Sequence, residues 1–596
     1  MDHRCANVLQ SVFGFSGFRP LQQEAVETVL SGRDLLMILP TGGGKSLCYQ
    51  LPALLLEGLT VVVSPLLALM HDQVSALKQM GVAAEMLSSM QDAEASEAIR
   101  ARLFQGEIKL LYVAPERLSN GSFLEMLSRL KVSLFVIDEA HCVSEWGHEF
   151  REDYRRLGML KERFPSVGIA AFTATATPQV HGDITAQLRL NDPNMLRGTI
   201  FRENLYIRVR HRVKDGRAQL FDFLQSRRGE SGIVYTFTRN AAETLARWLQ
   251  EKGVKARAYH AGLDTAERNG VYHDFVHDDI DVVVATVAFG MGIDKSNIRF
   301  VVHMSLPKTL ENYYQEIGRA GRDGLDAEVM LLYSAGDAAQ RRALVEQLEE
   351  SPYKQHAFGK LQSMVRFANA ERCRHQLLAA YFGDTIEACG GACDNCAEPA
   401  KAKEPVTVEA QKFLSTLYRT GQRFGMHYVV DVLRGSSEKR ILDNGHDALS
   451  VYGIGTERSK EQWLVIGERL LELELVGQGE HKTLYITPEG SEWLKSGTPL
   501  DIARERLEVR SRTAKKAVID TADYDLRLFE ALRTLRKELA DGQGIPPYMV
   551  FSDKSLKEMA ARPPEDREQM LAINGVGEVK FERFGEEFLN LIRNYA

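Results

Sequence analysis

The sequence predicts an α/β chain built from two open parallel sheets in tandem, followed by smaller modules. Three observations carry this. Short apolar runs, each closed by a polar turn and followed by a helical pattern, recur along the first half. The alternation restarts after about residue 200, at Gly232-Ile233-Val234-Tyr235. Beyond it the pattern breaks into a cysteine cluster, a mixed helix–strand stretch and a mainly helical end.

The composition agrees. At 596 residues, with 44% hydrophobic and 26% charged residues, the chain reads as a soluble globular protein of several domains. No apolar run approaches the roughly 20 residues that span a bilayer, and Met1-Asp2-His3-Arg4 leads into no signal-type segment, so a cytoplasmic, nucleoid-associated location without membrane partners is expected. A net charge of −7 speaks against a wholly basic nucleic-acid coat but leaves room for local basic surfaces. Seven cysteines are too few for a disulfide scaffold.

The first buried strand is Leu35-Leu36-Met37-Ile38-Leu39. It runs into Pro40-Thr41-Gly42-Gly43-Gly44-Lys45-Ser46, with helix after it. Strand, glycine-rich turn and helix make a phosphate cradle, because glycines let backbone N–H groups close on the phosphates at a helix N-terminus. In this reading Thr41, Gly42, Gly43 and Gly44 wrap the phosphates, Lys45 neutralises the β/γ pair and Ser46 ligates Mg²⁺. The strict pattern wants glycine at 39, where this chain has Leu39. Upstream, Phe15 and Arg19 can sandwich a flat base and Gln22 can read an adenine edge. The same stretch equally suits a helix packing Phe15 and Phe18 into a core.

Thr60-Val61-Val62-Val63-Ser64-Pro65 and Lys109-Leu110-Leu111-Tyr112-Val113-Ala114-Pro115-Glu116-Arg117 are further buried strands with polar ends, where open parallel sheets hold their ligands. Leu134-Phe135-Val136-Ile137 ends in Asp138-Glu139-Ala140-His141. A carboxylate closing a buried strand can hold Mg²⁺ beside Lys45 and Ser46, so Asp138 is the metal residue and Glu139 orients or deprotonates the attacking water.

Asp-Glu-Ala-His after Thr-Gly-Gly-Gly-Lys-Ser resembles superfamily 2 helicases, and the continuation His141-Cys142-Val143-Ser144-Glu145-Trp146-Gly147-His148-Glu149-Phe150-Arg151 resembles the RecQ family of DNA helicases. The resemblance implies two RecA-like domains and a loop that couples single-strand binding to ATP hydrolysis. Trp146 and Phe150 offer stacking faces there, and His148 and Arg151 offer phosphate or base contacts. The hydroxyl-rich Thr173-Ala174-Thr175-Ala176-Thr177 resembles the segment linking hydrolysis to the strand. The second half carries no phosphate loop; its Gly318-Arg319-Ala320-Gly321-Arg322 resembles the arginine-finger motif, with Arg319 and Arg322 expected on one side of a helix and facing the γ-phosphate.

Cys373, Cys389, Cys393 and Cys396 have the spacing of a structural Zn²⁺ site. The spacer between Cys389 and Cys393 holds three residues where two are expected in many family members. Ala397 to Pro405 reads as a linker. Helices about Phe424–Gly435 and Trp463–Leu470, then two short strands around Gln478–Lys482, give a winged-helix layout, with Arg434, Lys439 and Arg440 as candidate phosphate contacts and His481 on the wing. A second linker spans about Gly497 to Thr521. The end resembles the family's C-terminal HRDC domain, with Arg527, Arg533, Arg536 and Lys537 on a basic helix and Tyr548 as an exposed stacking ring.

The expected domains are 1–200 and 201–345 (RecA-like), 346–400 (zinc module), 401–500 (winged helix), 501–521 (linker) and 522–596 (HRDC-like). The resemblance implies an ATP-, Mg²⁺- and Zn²⁺-dependent DNA helicase of recombination and repair. It would move 3′ to 5′ on single-stranded DNA and unwind duplex or branched DNA, with single-strand-binding protein and other repair proteins as partners. The competing readings are an RNA helicase, which the zinc and winged-helix modules disfavour, and a DNA-binding scaffold with a decayed motor, which the intact Lys45, Asp138, Glu139, Arg319 and Arg322 disfavour.

Overall fold

The structure is a computed structural model describing residues 3–88, 91, 93–144, 151–287, 289, 295–398, 402–479, 483–507 and 524–595. Trp146, His148, Phe150 and His481 lie outside the described residues.

The first domain is a parallel sheet of β1 (Leu35–Ile38), β2 (Leu59–Val63), β3 (Ala84–Leu87), β4 (Leu110–Val113), β5 (Val132–Ile137), β6 (Gly168–Thr173) and β7 (Asn194–Arg197). Their order is β3-β4-β2-β5-β6-β1-β7, and every pairing is parallel. The central strands are buried on both faces, which is why they read as continuous apolar runs. Edge strands β3 and β7, Ala-Glu-Met-Leu and Asn-Met-Leu-Arg, are half-exposed and carry no such run.

The second sheet repeats the plan with β8 (Leu205–His211), β9 (Ser231–Tyr235), β10 (Ala256–Tyr259), β11 (Val282–Ala285), β12 (Ile298–His303) and β13 (Ala327–Tyr333), ordered β10-β11-β9-β12-β13-β8 and parallel throughout. Residues 198–204 join the two sheets. Gly198 N donates to Ile38 O at 2.9 Å, holding the start of this segment on the strand that carries the glycine-rich loop.

The zinc module is an extension of the second sheet. Cys393 bridges to Ile207 of β8, and Asp394 accepts from Val209 N (2.9 Å), Arg210 (3.1 Å) and Arg374 Nε (3.0 Å). Arg374 and His375, beside Cys373, are buried, so their role here is structural.

In the winged helix, Trp463 is buried and its Nε1 donates to Gly455 O at 2.7 Å. Both stretches read as linker contribute to this domain. β14 (Lys403–Pro405) pairs antiparallel with β17 (Asp501–Ala503), beside the wing ladder of β15 (Val476–Gln478) and β16 (Leu484–Ile486). Three-residue strands are too short to leave a period in the sequence.

The C-terminal domain packs Leu532, Phe551, Phe584 and Phe588 into its own core. On its long helix, Leu526–Gln543, three of the four expected basic residues are engaged within the protein, and Arg527 is exposed. Arg536 is buried and bonds Asp553 (2.8 Å) and Phe551 O (2.9 Å). Arg533 donates to Gly229 O (3.1 Å), and Lys537 to His277 O (2.8 Å) and Asp279 (3.0 Å) of the second domain. Gly575 N donates to Gly14 O of the first domain at 3.1 Å. A Cβ on Gly14 would stand 2.8 Å from Gly577 N, so glycine is required for this approach. The domain bridges both sheets.

Candidate functional site: a cleft between the two sheets

A cleft of about 680 Å³ opens at the carboxyl ends of β1 and β5. Of the residues expected to bind nucleotide or metal, Phe15, Arg19, Gln22, Thr41, Gly42, Gly44, Lys45, Ser46, Asp138, Glu139, Arg319 and Arg322 line it. Gly43 lies within the same turn, its N–H bonded to Pro40 O at 2.9 Å.

The loop is shaped for anions. Gly42 and Gly44 take φ near +80°, which side-chain-bearing residues rarely adopt. Lys45 Nζ donates to Leu39 O (2.9 Å) and Pro40 O (3.4 Å). Burial lowers the Lys45 pKa, against the opposing pull of Glu139 and Asp138. The Gln22 amide is bonded to the protein backbone: its Oε1 accepts from Arg19 N at 2.8 Å, and its Nε2 donates to Gly44 O at 3.1 Å. Arg19 Nη1 reaches Gly42 O at 2.7 Å. The base-side segment and the phosphate loop are thereby one unit. Leu39, at the position where glycine was expected, is buried, and a Cβ on Gly198 would stand 2.4 Å from its Cδ2.

Asp138 and Glu139 follow β5. Burial, then the neighbouring Glu139, push the Asp138 carboxyl up to about 7, with Lys45 opposing. A divalent cation is the ligand that would hold this carboxyl ionised. Glu139 sits in the left-handed region at φ 48° and ψ 45°, a conformation costing about 1–3 kcal/mol. His141 Nδ1 lies 3.3 Å from Glu139 Oε2 and 3.0 Å from Thr173 Oγ1, linking the carboxylate to the end of β6.

Arg319 and Arg322 are not on a helix as expected. The helix Leu310–Ile317 ends before them, and they occupy the following turn, where Gly321 takes φ +61°. That turn lies against the phosphate loop: a Cβ on Gly42 would stand 3.3 Å from Arg322 Cα, and one on Gly318 3.2 Å from Thr41 Cβ.

Arg151 donates through Nη1 to Pro65 O at 2.9 Å. Pro65 also lines a second cleft of about 730 Å³ with Ser88, Arg100, Arg117, Asn120 and Phe123, at the carboxyl ends of β2, β3 and β4. Arg117 stands 5.7 Å over the Phe123 ring, its pKa lowered by burial and by Arg100. The groove thus holds two guanidiniums, Arg117 and Arg100, the latter paired with Glu97 at 3.2 Å, and the Glu116 carboxylate. The sequence offered only a polar strand end here.

Tyr548 is not an exposed ring. It is half-buried on the wall of the first cleft, with Met549, Lys554, Asn574 and Lys580 of the C-terminal domain.

The four cysteines converge, with ligand atoms all within 4.8 Å of one another, as a tetrahedral zinc site requires. The three-residue spacer is absorbed by Gly390 and Gly391, at φ +63° and +139°.

The chain matches the family models described as DEAD/DEAH box helicase over residues 19–183, Helicase conserved C-terminal domain over 216–324, RecQ zinc-binding over 335–397, RQC domain over 401–511 and HRDC domain over 525–592. It is 45% identical over 592 residues to the ATP-dependent DNA helicase RecQ of Pasteurella multocida (strain Pm70), covering 99% of this chain and 93% of that protein. It is 44% identical over 593 residues to the protein of that name from Haemophilus influenzae, covering 99% and 96%. To the Bacillus subtilis protein of that name it is 42% identical over 602 residues, covering 100% and 99%.

Proposed function

The chain belongs to the RecQ family of ATP-dependent DNA helicases, and on that premise we propose how its residues divide the work. It is an ATP-dependent DNA helicase that uses Mg²⁺ and holds Zn²⁺ through Cys373, Cys389, Cys393 and Cys396. In our reading it translocates 3′ to 5′ on one strand and displaces the complement, in recombination and repair. The reading carries with it single-strand-binding protein and other repair proteins as partners, and a nucleoid-associated cytoplasmic location.

The observation that carries the mechanism is the contact of the Arg319–Arg322 turn with the Thr41–Gly42 loop across the domain boundary. Bound Mg²⁺, held by Ser46 and Asp138, would neutralise phosphate charge and orient the β/γ bond. Lys45 leaves its loop carbonyls to pair with the phosphates. Glu139 orients the attacking water and accepts its proton. Arg319 and Arg322 meet the charge that develops on the transferring oxygens. Because those arginines belong to the second domain and Lys45 to the first, the tightness of the cleft follows the state of the γ-phosphate. His141 and Thr173 carry that state to the end of β6, and Arg151 carries it to Pro65, which the hydrolysis cleft shares with the second groove. Arg100 and Arg117 hold the tracking strand in that groove by its phosphates. Trp146, His148 and Phe150 remain its proposed further contacts.

The test is ATP hydrolysis by the wild type and Glu139→Gln, with and without single-stranded DNA, together with displacement of 3′- and 5′-tailed duplexes. Strong stimulation that vanishes in Glu139→Gln, with unwinding of the 3′-tailed duplex alone, is the expected result. Stimulation by RNA but not DNA would overturn the substrate reading, and unwinding from the 5′ tail would overturn the polarity.

A further inference from the structure

The turn that carries Arg319 and Arg322 has a structural difficulty. It follows a helix C-terminus, so its carbonyls lack intrahelical partners. It also bears cationic side chains close together, and Gly318 and Gly321 leave its backbone soft. A site that must place guanidiniums within a fraction of an ångström cannot rest on such a turn unaided.

What holds it comes from the segment joining the two sheets. Arg202 donates through Nη1 to Gly318 O (3.1 Å) and through Nη2 to Ala320 O (2.8 Å) and Gly321 O (2.6 Å). Asn204 Nδ2 donates to Gly321 O (2.9 Å) and Leu325 O (2.8 Å). A Cβ on Gly321 would stand 2.6 Å from that Nδ2, so the fit is close. The carbonyls of the turn thus converge on one planar fork, whose donors are fixed relative to one another. The positive charge also offsets the negative end of the helix dipole.

The same segment is tethered on its other side. Gly198 N bonds Ile38 O at the end of β1, just before the phosphate loop. Tyr314 OH donates to Ile200 O at 2.7 Å, from the helix that precedes the turn. Thr199 Oγ1 and Ile200 N bond Asp384 of the zinc module at 3.1 and 3.2 Å. A continuous set of bonds therefore runs from the β1 end, through the joining segment, to the turn opposite Lys45.

We propose that Arg202 is a positioning residue: it acts through the Gly318–Gly321 carbonyls to set Arg319 and Arg322 against the phosphate loop, and so ties their placement to the segment that joins the two sheets. This rests on the reading of Arg319 and Arg322 as the residues that meet the γ-phosphate. Burial lowers the Arg202 pKa to about 10, which keeps it charged at physiological pH and the clamp intact.

The experiment is a mutant cycle on the full chain, reading DNA-stimulated kcat, KM for ATP, affinity for a fluorescent ATP analogue and Tm. Arg202→Ala is expected to lower kcat about 100-fold, while nucleotide affinity, governed from the first domain, moves less than about threefold. Arg202→Lys, with one charge but no planar fork, should recover about tenfold of that loss. Combined with Arg319→Ala and Arg322→Ala, Arg202→Ala should cost nothing further, because its effect passes through them. A multiplicative loss in that combination, or an unchanged kcat in Arg202→Ala, would overturn the proposal. If Arg202→Ala does not fold, Asn204→Ala and Arg202→Lys enter the same cycle with the same criterion. Full activity in the Arg319→Ala, Arg322→Ala double variant would instead overturn the γ-phosphate reading, so the two failures are distinguishable.

Discussion

The imidazole of His141 and the hydroxyl of Thr173 stand 3.0 Å apart, buried between the end of β5 and the end of β6. Because the same ring nitrogen faces Glu139, removing the hydroxyl frees the ring to turn and the carboxylate to drift. Thr173→Val is expected to lower DNA-stimulated kcat about tenfold, or about 1.4 kcal/mol, with ATP-analogue affinity unchanged. Equal loss of affinity and rate would assign Thr173 to binding instead.

Asp138 titrates near neutrality, at about 7 against an ordinary 3.8. The folded protein therefore holds a proton there that the unfolded chain has released. In Mg²⁺-free buffer stability falls as pH rises from about 4 to 7 through this group, then levels off. Mg²⁺ must displace the proton below neutrality, so its apparent affinity should weaken about fivefold between pH 7 and pH 6 and plateau above pH 8. Titrating Mg²⁺-dependent ATPase across this range checks it, and Asp138→Asn should remove both trends.

Lys580 lines the nucleotide cleft from the C-terminal domain, and burial, then Arg583, lower its pKa to about 8. It is mainly charged at pH 7 and mainly neutral at pH 9. Affinity for a fluorescent ATP analogue should decline over that interval in the wild type and stay flatter in Lys580→Met. Arg583→Ala should shift the decline to higher pH. Parallel curves for wild type and Lys580→Met would show that Lys580 does not meet the nucleotide.

Zinc removal should damage more than its own module, since Cys393 is bridged to β8 and Ile207 N bonds Ala392 O at 3.0 Å. Cys393→Ser is expected to lose bound zinc and at least about 3 kcal/mol of stability. A variant that loses zinc, as read by metal analysis, but keeps the wild-type melting transition in calorimetry would refute this.

Much of the site was legible because its chemistry sits in short contiguous runs. Pro40–Ser46 announces an anion loop by glycines and a lysine, Asp138-Glu139 stands out against the buried strand before it, and Cys389-Gly390-Gly391-Ala392-Cys393 reads as metal ligation at sight. The sheets were legible at their centres, where both faces are buried. Edge strands β3 and β7 were not, because half their side chains face solvent. Arg202 left no trace in the sequence: its partners are backbone carbonyls 116 to 119 positions away, and any residue supplies a carbonyl. Tyr548 misled for the related reason that its place on the cleft wall, beside residues of the first domain, is a tertiary fact.

The close fit of Leu39 against Gly198 makes the two positions a size-exchange pair. Any side chain at 198 must find room that the leucine already fills, so Gly198→Ala alone should disturb both the phosphate loop and the joining segment it abuts. Shrinking position 39 opens that room, and Leu39→Gly with Gly198→Ala should be milder than Gly198→Ala by itself. A glycine at 39 would therefore license a side chain at 198, so the freedom to vary at one site depends on the other.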